Sequence, residues 1–340
     1  MLFRSQVAKF ILTSSLIAAL LPASANVANA APTLIEVQAR VIDLQEQAAA
    51  AAERAQEAKV QLAILQKTLT SVQSQASAQS ASVDAMKKTI GAIASEQYKS
   101  GGISDSLNLL FSANPTLYLS SAGALEIINR QRTENLKKFS TASQRLTATS
   151  MTVSDKLSLV KAAQARYTSQ LADANAKLKE AEALLEQLTK EERDRLNKIL
   201  NDSEDSDQQR SLNEASKYSA VSGKAGVAIK FALNQIGDKY VFGAAGMVYW
   251  DCSGLTMRAF EAAGISLPHS SAMQFKYGKP VELQDLQPGD LVFWDKPISH
   301  VAIYLGGGRM VTAPRTGARV KIDNFVMNLG KKKYAGARRL

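Results

Sequence analysis

The chain has 340 residues, 46% of them apolar and 21% charged, with a formal net charge of +10. This composition excludes global disorder, and no run reaches the roughly 18 consecutive apolar residues of a membrane-spanning helix. One cysteine and two histidines exclude a disulfide framework and argue against a zinc cluster, so no metal or other cofactor is expected. The length allows two domains, and proline and glycine divide them. Pro115 is the only proline between Thr33 and Leu267, whereas fifteen of the nineteen glycines lie from Gly223 onward, as do Trp250 and Trp294. The first part reads as helical and elongated, the second as compact.

Residues 1–30 have the form of an export signal. Arg4 and Lys9 precede an apolar stretch from Phe10 to Leu21, and Ala28-Asn29-Ala30 supplies the small-x-small pattern that signal peptidase cuts after. A secreted, extracellular or wall-associated protein is therefore expected, beginning near Ala31. Beyond Ala30, residues 31–218 balance 23 basic against 23 acidic residues, while 219–340 carry 16 basic and 8 acidic. All of the excess positive charge sits on the second part. For an exported chain it points to wall polymers or membrane surfaces rather than nucleic acid, or to a solvated basic face.

From Leu34 the apolar residues recur in steps of three and four, through Val37, Val41, Leu44, Ala48, Ala51, Ala55 and onward to Ile93, and of eighteen such positions only Gln79 is polar. This heptad pattern predicts a coiled-coil helix to about Lys99, ended by Gly101-Gly102. A looser run follows from Leu136 to Leu188, with Ser143, Ser150 and Gln164 at seam positions. Two striped helices joined by a short tip are expected to fold back as an antiparallel hairpin over 31–200. The tip, about 101–128, is rich in apolar residues such as Leu109, Phe111 and Leu117. It reads either as a small local core or as a docking surface. The polar, acidic stretch 201–222 reads as a flexible linker, ahead of a domain at 223–340.

The lone Cys252 precedes a run with helical spacing (Leu255, Met257, Phe260) that Gly264 ends. Its sulfur is thus expected at a helix N-terminus, where the macrodipole and unpaired amides favour a thiolate nucleophile. Such a nucleophile needs a base. His300 opens an apolar strand, His300 to Leu305, with a turn at Gly306-Gly307-Gly308 and a second strand beyond, a placement that suits general-base work. His269 follows Pro268 in a turn and reads as surface or substrate-facing.

At these residues the sequence resembles the NlpC family of cell-wall cysteine peptidases. Tyr240 stands twelve residues before Cys252; Asp251-Cys252-Ser253-Gly254, Leu286 to Phe293 and Ser299 to Gly306 complete four boxes in order. The resemblance covers about Gly223 to Arg339. It implies a papain-like α+β fold and hydrolysis of peptidoglycan stem peptides, typically between D-γ-glutamate and the diamino acid that follows. It implies further that Cys252 attacks the amide carbonyl, that His300 moves the proton and that Tyr240 stabilises the oxyanion. Asp251, Ser253 and Ser271 would line the peptide groove, Asp251 either receiving a peptide amine or capping the helix.

One position departs from the family. Its third catalytic residue, twelve positions after the histidine, is usually His, Glu, Asn or Gln, and here it is Thr312. A hydroxyl can accept from the imidazole but carries no charge, which leaves open a wall-binding scaffold that recruits other hydrolases. An acyltransferase using the same dyad is the weaker third reading. The whole layout is similar to secreted wall hydrolases in cell separation, some of which dock through the coiled coil on a membrane complex resembling FtsE-FtsX, and some of which have the active site covered by a helical segment.

Overall fold

The computed structural model describes residues 33–99 and 115–340. The export signal, the Gly101-Gly102 turn and the tip as far as 114 lie outside them. Helix α1, Leu34–Lys99, has 66 residues, about 100 Å of rod at about 1.5 Å per residue. Helix α2, Pro115–Glu186, runs antiparallel to it. Arg40 donates to Glu180 at 2.8 Å and Arg54 to Gln170 at 2.8 Å, so ascending numbers on one helix meet descending numbers on the other. Residues 115–128 are therefore the first turns of α2 rather than part of an irregular tip, and Pro115 at the first helical position fits because its missing amide hydrogen is one the helix start leaves unpaired.

The seam is not uniform. Val37, Val41, Leu44 and Ala181 form a buried cluster with Leu184, Leu185 and Leu188, whereas Leu136 and Leu157 on α2 are 54% and 40% exposed. The hairpin is thus tightest near the second domain. Its heptad pattern does not secure burial further out, where polar seam residues on α2 leave the two helices less to exclude water with.

The acidic stretch read as a linker is helical. Helix α3 spans Lys190–Ala215, started by a capping box in which Thr189 and Glu192 satisfy each other's backbone amides. It lies on the second domain through pairs the sequence hides: Asp207 with Lys321 at 2.7 Å, Glu214 with Arg309 at 2.6 Å, and the Ser211 hydroxyl accepting from the Ile322 amide at 3.0 Å. Composition suggested a solvated chain because the acids lack partners nearby in sequence. Their partners are the excess cations of the other domain.

The second domain opens with α4, Gly223–Leu233, and a two-residue parallel pair of β1, Lys239–Tyr240, with β2, Tyr249–Trp250. Helix α5, Cys252–Ala262, and the single turn α6, Ser271–Gln274, follow. Strands β3 (Lys279–Val281), β4 (Leu291–Trp294), β5 (His300–Gly306), β6 (Arg309–Thr312), β7 (Lys321–Asn324), β8 (Asn328–Leu329) and β9 (Lys332–Arg339) complete it. The antiparallel sheet has the order β3-β9-β4-β5-β6-β7, with β8 also pairing β9.

Strand alternation sorts the core into two layers. Leu291, Phe293, Val301, Ile303 and Val311 face α4 and α5, meeting Ile229, Leu255 and Phe260. Val292, Trp294, Ala302 and Met310 face the other way, against Tyr304, Phe325 and Tyr334. The structure is thus an α+β domain preceded by a helical hairpin. Trp294 is fully buried and donates to the Val326 carbonyl at 3.0 Å. Trp294→Ala is expected to lower the stability of the second domain by about 3–5 kcal/mol, read as an earlier guanidinium midpoint for the full chain. An unchanged midpoint contradicts this packing.

Candidate active site

Asp251 organises the start of α5. Its Oδ1 accepts from the Gly254 amide at 2.6 Å, its Oδ2 accepts from the Gly243 amide at 2.8 Å, and His269 Nε2 lies 2.8 Å from both oxygens. Of the two roles the sequence left open, the structure realises the helix cap, with the carboxylate 1% exposed. Gly254 is required here: a Cβ on it would stand 2.3 Å from the Ala244 carbonyl oxygen. His269, read from sequence as surface or substrate-facing, is largely buried against Asp251. Burial works against a charge on its ring, but the hydrogen bond to Asp251 and that residue's charge outweigh it and hold the pKa above the ordinary histidine value.

The cap places Cys252 at the first turn of α5, facing the end of β5. The Val301 amide acts on the sulfur as a hydrogen-bond donor and favours the thiolate. The pairing of Ile303 with Val311 and Tyr304 with Met310 sets His300 and Thr312 as diagonal neighbours, and His300 Nε2 lies 2.9 Å from Thr312 Oγ1. With Nε2 engaged there, Nδ1 is the nitrogen left for the thiol. Burial, with Lys332 nearby, drives the His300 pKa well below its usual value, so the ring is a neutral base. The Tyr240 hydroxyl is buried and has no hydrogen-bond partner among the described residues. Burial and the neighbouring Cys252, Asp251 and Glu53 push its pKa well up, keeping it a protonated donor.

Ser253 and Ser271 complete the constellation. Gln274 fixes their spacing: its side-chain amide donates to the Ser253 and Pro268 carbonyls, both at 2.9 Å, and its carbonyl accepts from Thr256 at 2.7 Å. The cradle so formed holds a carboxylate from far away in sequence. Glu53 Oε1 accepts from Cys252 Sγ at 3.0 Å and Ser253 Oγ at 2.7 Å. Glu53 Oε2 accepts from the Ser271 amide at 2.9 Å and its hydroxyl at 2.8 Å. Burial, reinforced by Asp251, raises the Glu53 pKa. Burial and the same two carboxylates push the Cys252 thiol well up.

Small residues let α1 come this close. Ala48, Ala49, Ala51 and Ala52 are all buried; Ala49 joins the core of the second domain, while Ala51 and Ala52 pack with Ala174 of α2 and with Phe242. At the edges Asp43 pairs with Lys331 at 2.7 Å and Gln45 accepts from Arg315 at 2.9 Å. Sequence reading missed Glu53, Gln274 and the Val301 amide. Five consecutive alanines, Ala48 to Ala52, were the available signal for α1, because alanine all round a helix suits one covered on two faces. Among the described residues no cluster of three His, Cys, Asp or Glu side chains could hold a metal ion.

A cysteine at a helix start, with its sulfur against the antiparallel strand that a histidine opens, belongs to a papain-like α+β domain. Residues 237–339 match the model of the NlpC/P60 family, so the C-terminal part of the chain is an NlpC/P60 domain. Over 94 residues the chain is 46% identical to Probable endopeptidase Rv2190c of Mycobacterium tuberculosis, covering 28% of this chain and 24% of that one. It is 43% identical over 96 residues to Probable endopeptidase p60 of Listeria monocytogenes, covering 28% and 19%. It is 37% identical over 109 residues to Peptidoglycan endopeptidase RipA of Mycolicibacterium smegmatis, covering 28% and 22%. The chain thus spans a quarter or less of these relatives' length. A solved structure of a mutated Resuscitation Promoting Factor Interacting protein RipA aligns with 34% of this chain and 61% of its own, at 29% identity and a TM-score of 0.31.

A thiol held above its ordinary pKa contains little thiolate at neutral pH. Alkylation of native Cys252 by iodoacetamide is therefore expected to climb about tenfold per pH unit through pH 9 without levelling, whereas the unfolded chain levels near the ordinary cysteine value of about 8.5. A native plateau below that value contradicts the buried, carboxylate-flanked thiol.

Proposed function

We propose that the protein is a secreted peptidoglycan endopeptidase that cleaves stem peptides by cysteine nucleophile catalysis, in wall remodelling or daughter-cell separation. The observation that carries this reading is the joint placement of Cys252, His300 and the unpaired Tyr240 hydroxyl within a domain whose named relatives are endopeptidases. In the proposed cycle His300 Nδ1 takes the Cys252 proton as the sulfur attacks the amide carbonyl. The tetrahedral oxyanion is met by Tyr240 and by amides at the start of α5. On collapse the carbon–nitrogen bond breaks, the leaving amine takes the proton from His300, and a thioester remains. Water, deprotonated by the same ring, then releases the acid and restores the thiol.

Thr312 supplies orientation without charge. In this cycle its hydroxyl accepts a hydrogen bond from Nε2–H, with Nδ1 free to act as base. The proposed bond is the D-γ-glutamyl–diamino acid amide, with Ser253 and Ser271 as peptide-binding donors. Secretion rests on the first thirty residues, and an FtsE-FtsX-like membrane partner for the coiled coil rests on the overall layout alone. The scaffold reading is favoured by Thr312 in place of an ionisable residue, and activity decides between the two.

Mass spectrometry of stem-peptide fragments incubated with the protein tests the proposal. Cleavage after D-glutamate is expected to disappear in Cys252→Ala. In Tyr240→Phe kcat is expected to fall about ten- to a thousand-fold with KM little changed, as for loss of one oxyanion donor. Wall binding by a chain that cleaves nothing, with its α1 contacts removed as well, favours the scaffold.

A further inference from the structure

Resting on the endopeptidase reading above, we propose that Arg315 and Lys332 determine substrate specificity: the two cations, set near His300 at one end of the sheet, receive a free carboxylate on the half of the stem peptide that leaves with the new amine. The fold gathers them there. Strand β5 begins at His300, β6 ends at Thr312, β4 ends at Trp294 and β9 begins at Lys332, so in an antiparallel sheet all four lie at the same end. Trp294 stands directly opposite both His300 and Tyr334, and Lys332, two residues before Tyr334, shares their face. Its charge acts on the His300 ring. Arg315 follows Thr312 by three residues, where the chain leaves that end of the sheet.

Neither cation has a counter-ion. Lys332 is 7% exposed, and among the described residues its ammonium makes no hydrogen bond or ion pair, although a buried charge is costly unless paired. Arg315 donates through Nη1 to the Gln45 side-chain oxygen at 2.9 Å and to the Thr316 carbonyl at 3.2 Å. Both acceptors are uncharged, and Nε and Nη2 have no partner among the described residues. Arg309, Arg319, Lys321 and Arg339, by contrast, each meet a carboxylate within 3.1 Å. Adjacent residues of α1 touch both stretches, Gln45 at Arg315 and Glu46 against Gly330, two positions before Lys332. Burial lowers the Arg315 pKa, and the charges of Glu204 and Glu46 offset this only in part.

In the proposed cycle His300 gives its proton to the leaving amine. The departing half of the peptide therefore lies on the His300 side of the broken bond, the side of Arg315 and Lys332. That half starts with the diamino acid, and two of its groups can offer a carboxylate: a second carboxyl on the diamino acid and the terminal carboxyl of the chain. A guanidinium takes a carboxylate through two parallel N–H donors, and Nε with Nη2 is an adjacent pair left free. Lys332 adds a point charge. A carboxamide in the same place has one acceptor and turns N–H groups toward the cations, so amidation removes the attraction.

The full chain is given stem-peptide fragments in matched forms, with both carboxyls of the leaving half free, either one amidated, or both amidated. The native chain is expected to cleave the free form with a kcat/KM about ten- to a hundred-fold above the fully amidated form, as for hydrogen bonds to a charged group. The singly amidated fragments tell which carboxylate is read. In Arg315→Gln and in Lys332→Met this ratio is expected to fall about three- to tenfold, and in the double variant to disappear, a readout that a general loss of rate does not move. Calorimetry with the diamino acid–D-alanine dipeptide, free against amidated, measures the same preference without cleavage. Equal cleavage of free and amidated fragments by the native chain overturns the carboxylate site and leaves the peptidase reading standing. A preference that survives Arg315→Gln undiminished overturns the assignment to these residues. With no fragment cleaved, a dipeptide bound only with its carboxylates free, and released by Arg315→Gln, supports the site and overturns the peptidase reading; binding that is absent or indifferent to amidation overturns both. Should Lys332→Met lose its fold by far-UV circular dichroism, Arg315→Gln decides.

Discussion

The carboxylate of Asp251 is the constraint around which the candidate site is built. One side chain starts α5 through Gly254, holds the preceding loop through Gly243 and binds His269 from the turn that leads to Ser271. These contacts bring three stretches of chain together at one helix end. Cys252 is where it is because Asp251 precedes it, and Ser271 is near because His269 and Gln274 tie its loop to α5. The sheet supplies the opposing wall, where the β5–β6 register sets His300 beside Thr312.

Charge organises the larger assembly in a similar way. The second domain carries the chain's cationic excess, and part of that excess meets acids elsewhere in the chain rather than an external polyanion. Arg309 and Lys321 take Glu214 and Asp207 of α3, and Lys331 takes Asp43 of α1. Between these polar edges, α1 presents alanines to the domain and to α2 at once. Small side chains permit the approach while providing limited apolar area.

The heptad run made α1 legible almost to the residue, since its pattern extends over nine turns of the repeat and ends ahead of two glycines. Cys252 at a helix start, the strand from His300 and the hairpin beyond it were also readable, because each is a local pattern of apolar spacing and glycine. Helix α3 was not. Its acids resemble a solvated linker until Lys321 and Arg309 stand opposite them, and those residues lie about a hundred positions further along. The outer seam misled in the other direction: Leu136 and Leu157 occupy heptad positions yet remain substantially exposed.

By itself, then, the sequence determined the periodic elements and the chemistry-bearing residues, because helix stripes, strand alternation and a lone cysteine ahead of a helix are encoded within a few residues of one another. Only the tertiary structure decided what meets them. Glu53 carries no local mark among the residues of a coiled-coil helix; it becomes part of the candidate site because a pair of serines two hundred positions away offers hydroxyls and an amide in the one direction that the helix, packed on α2, leaves it to point.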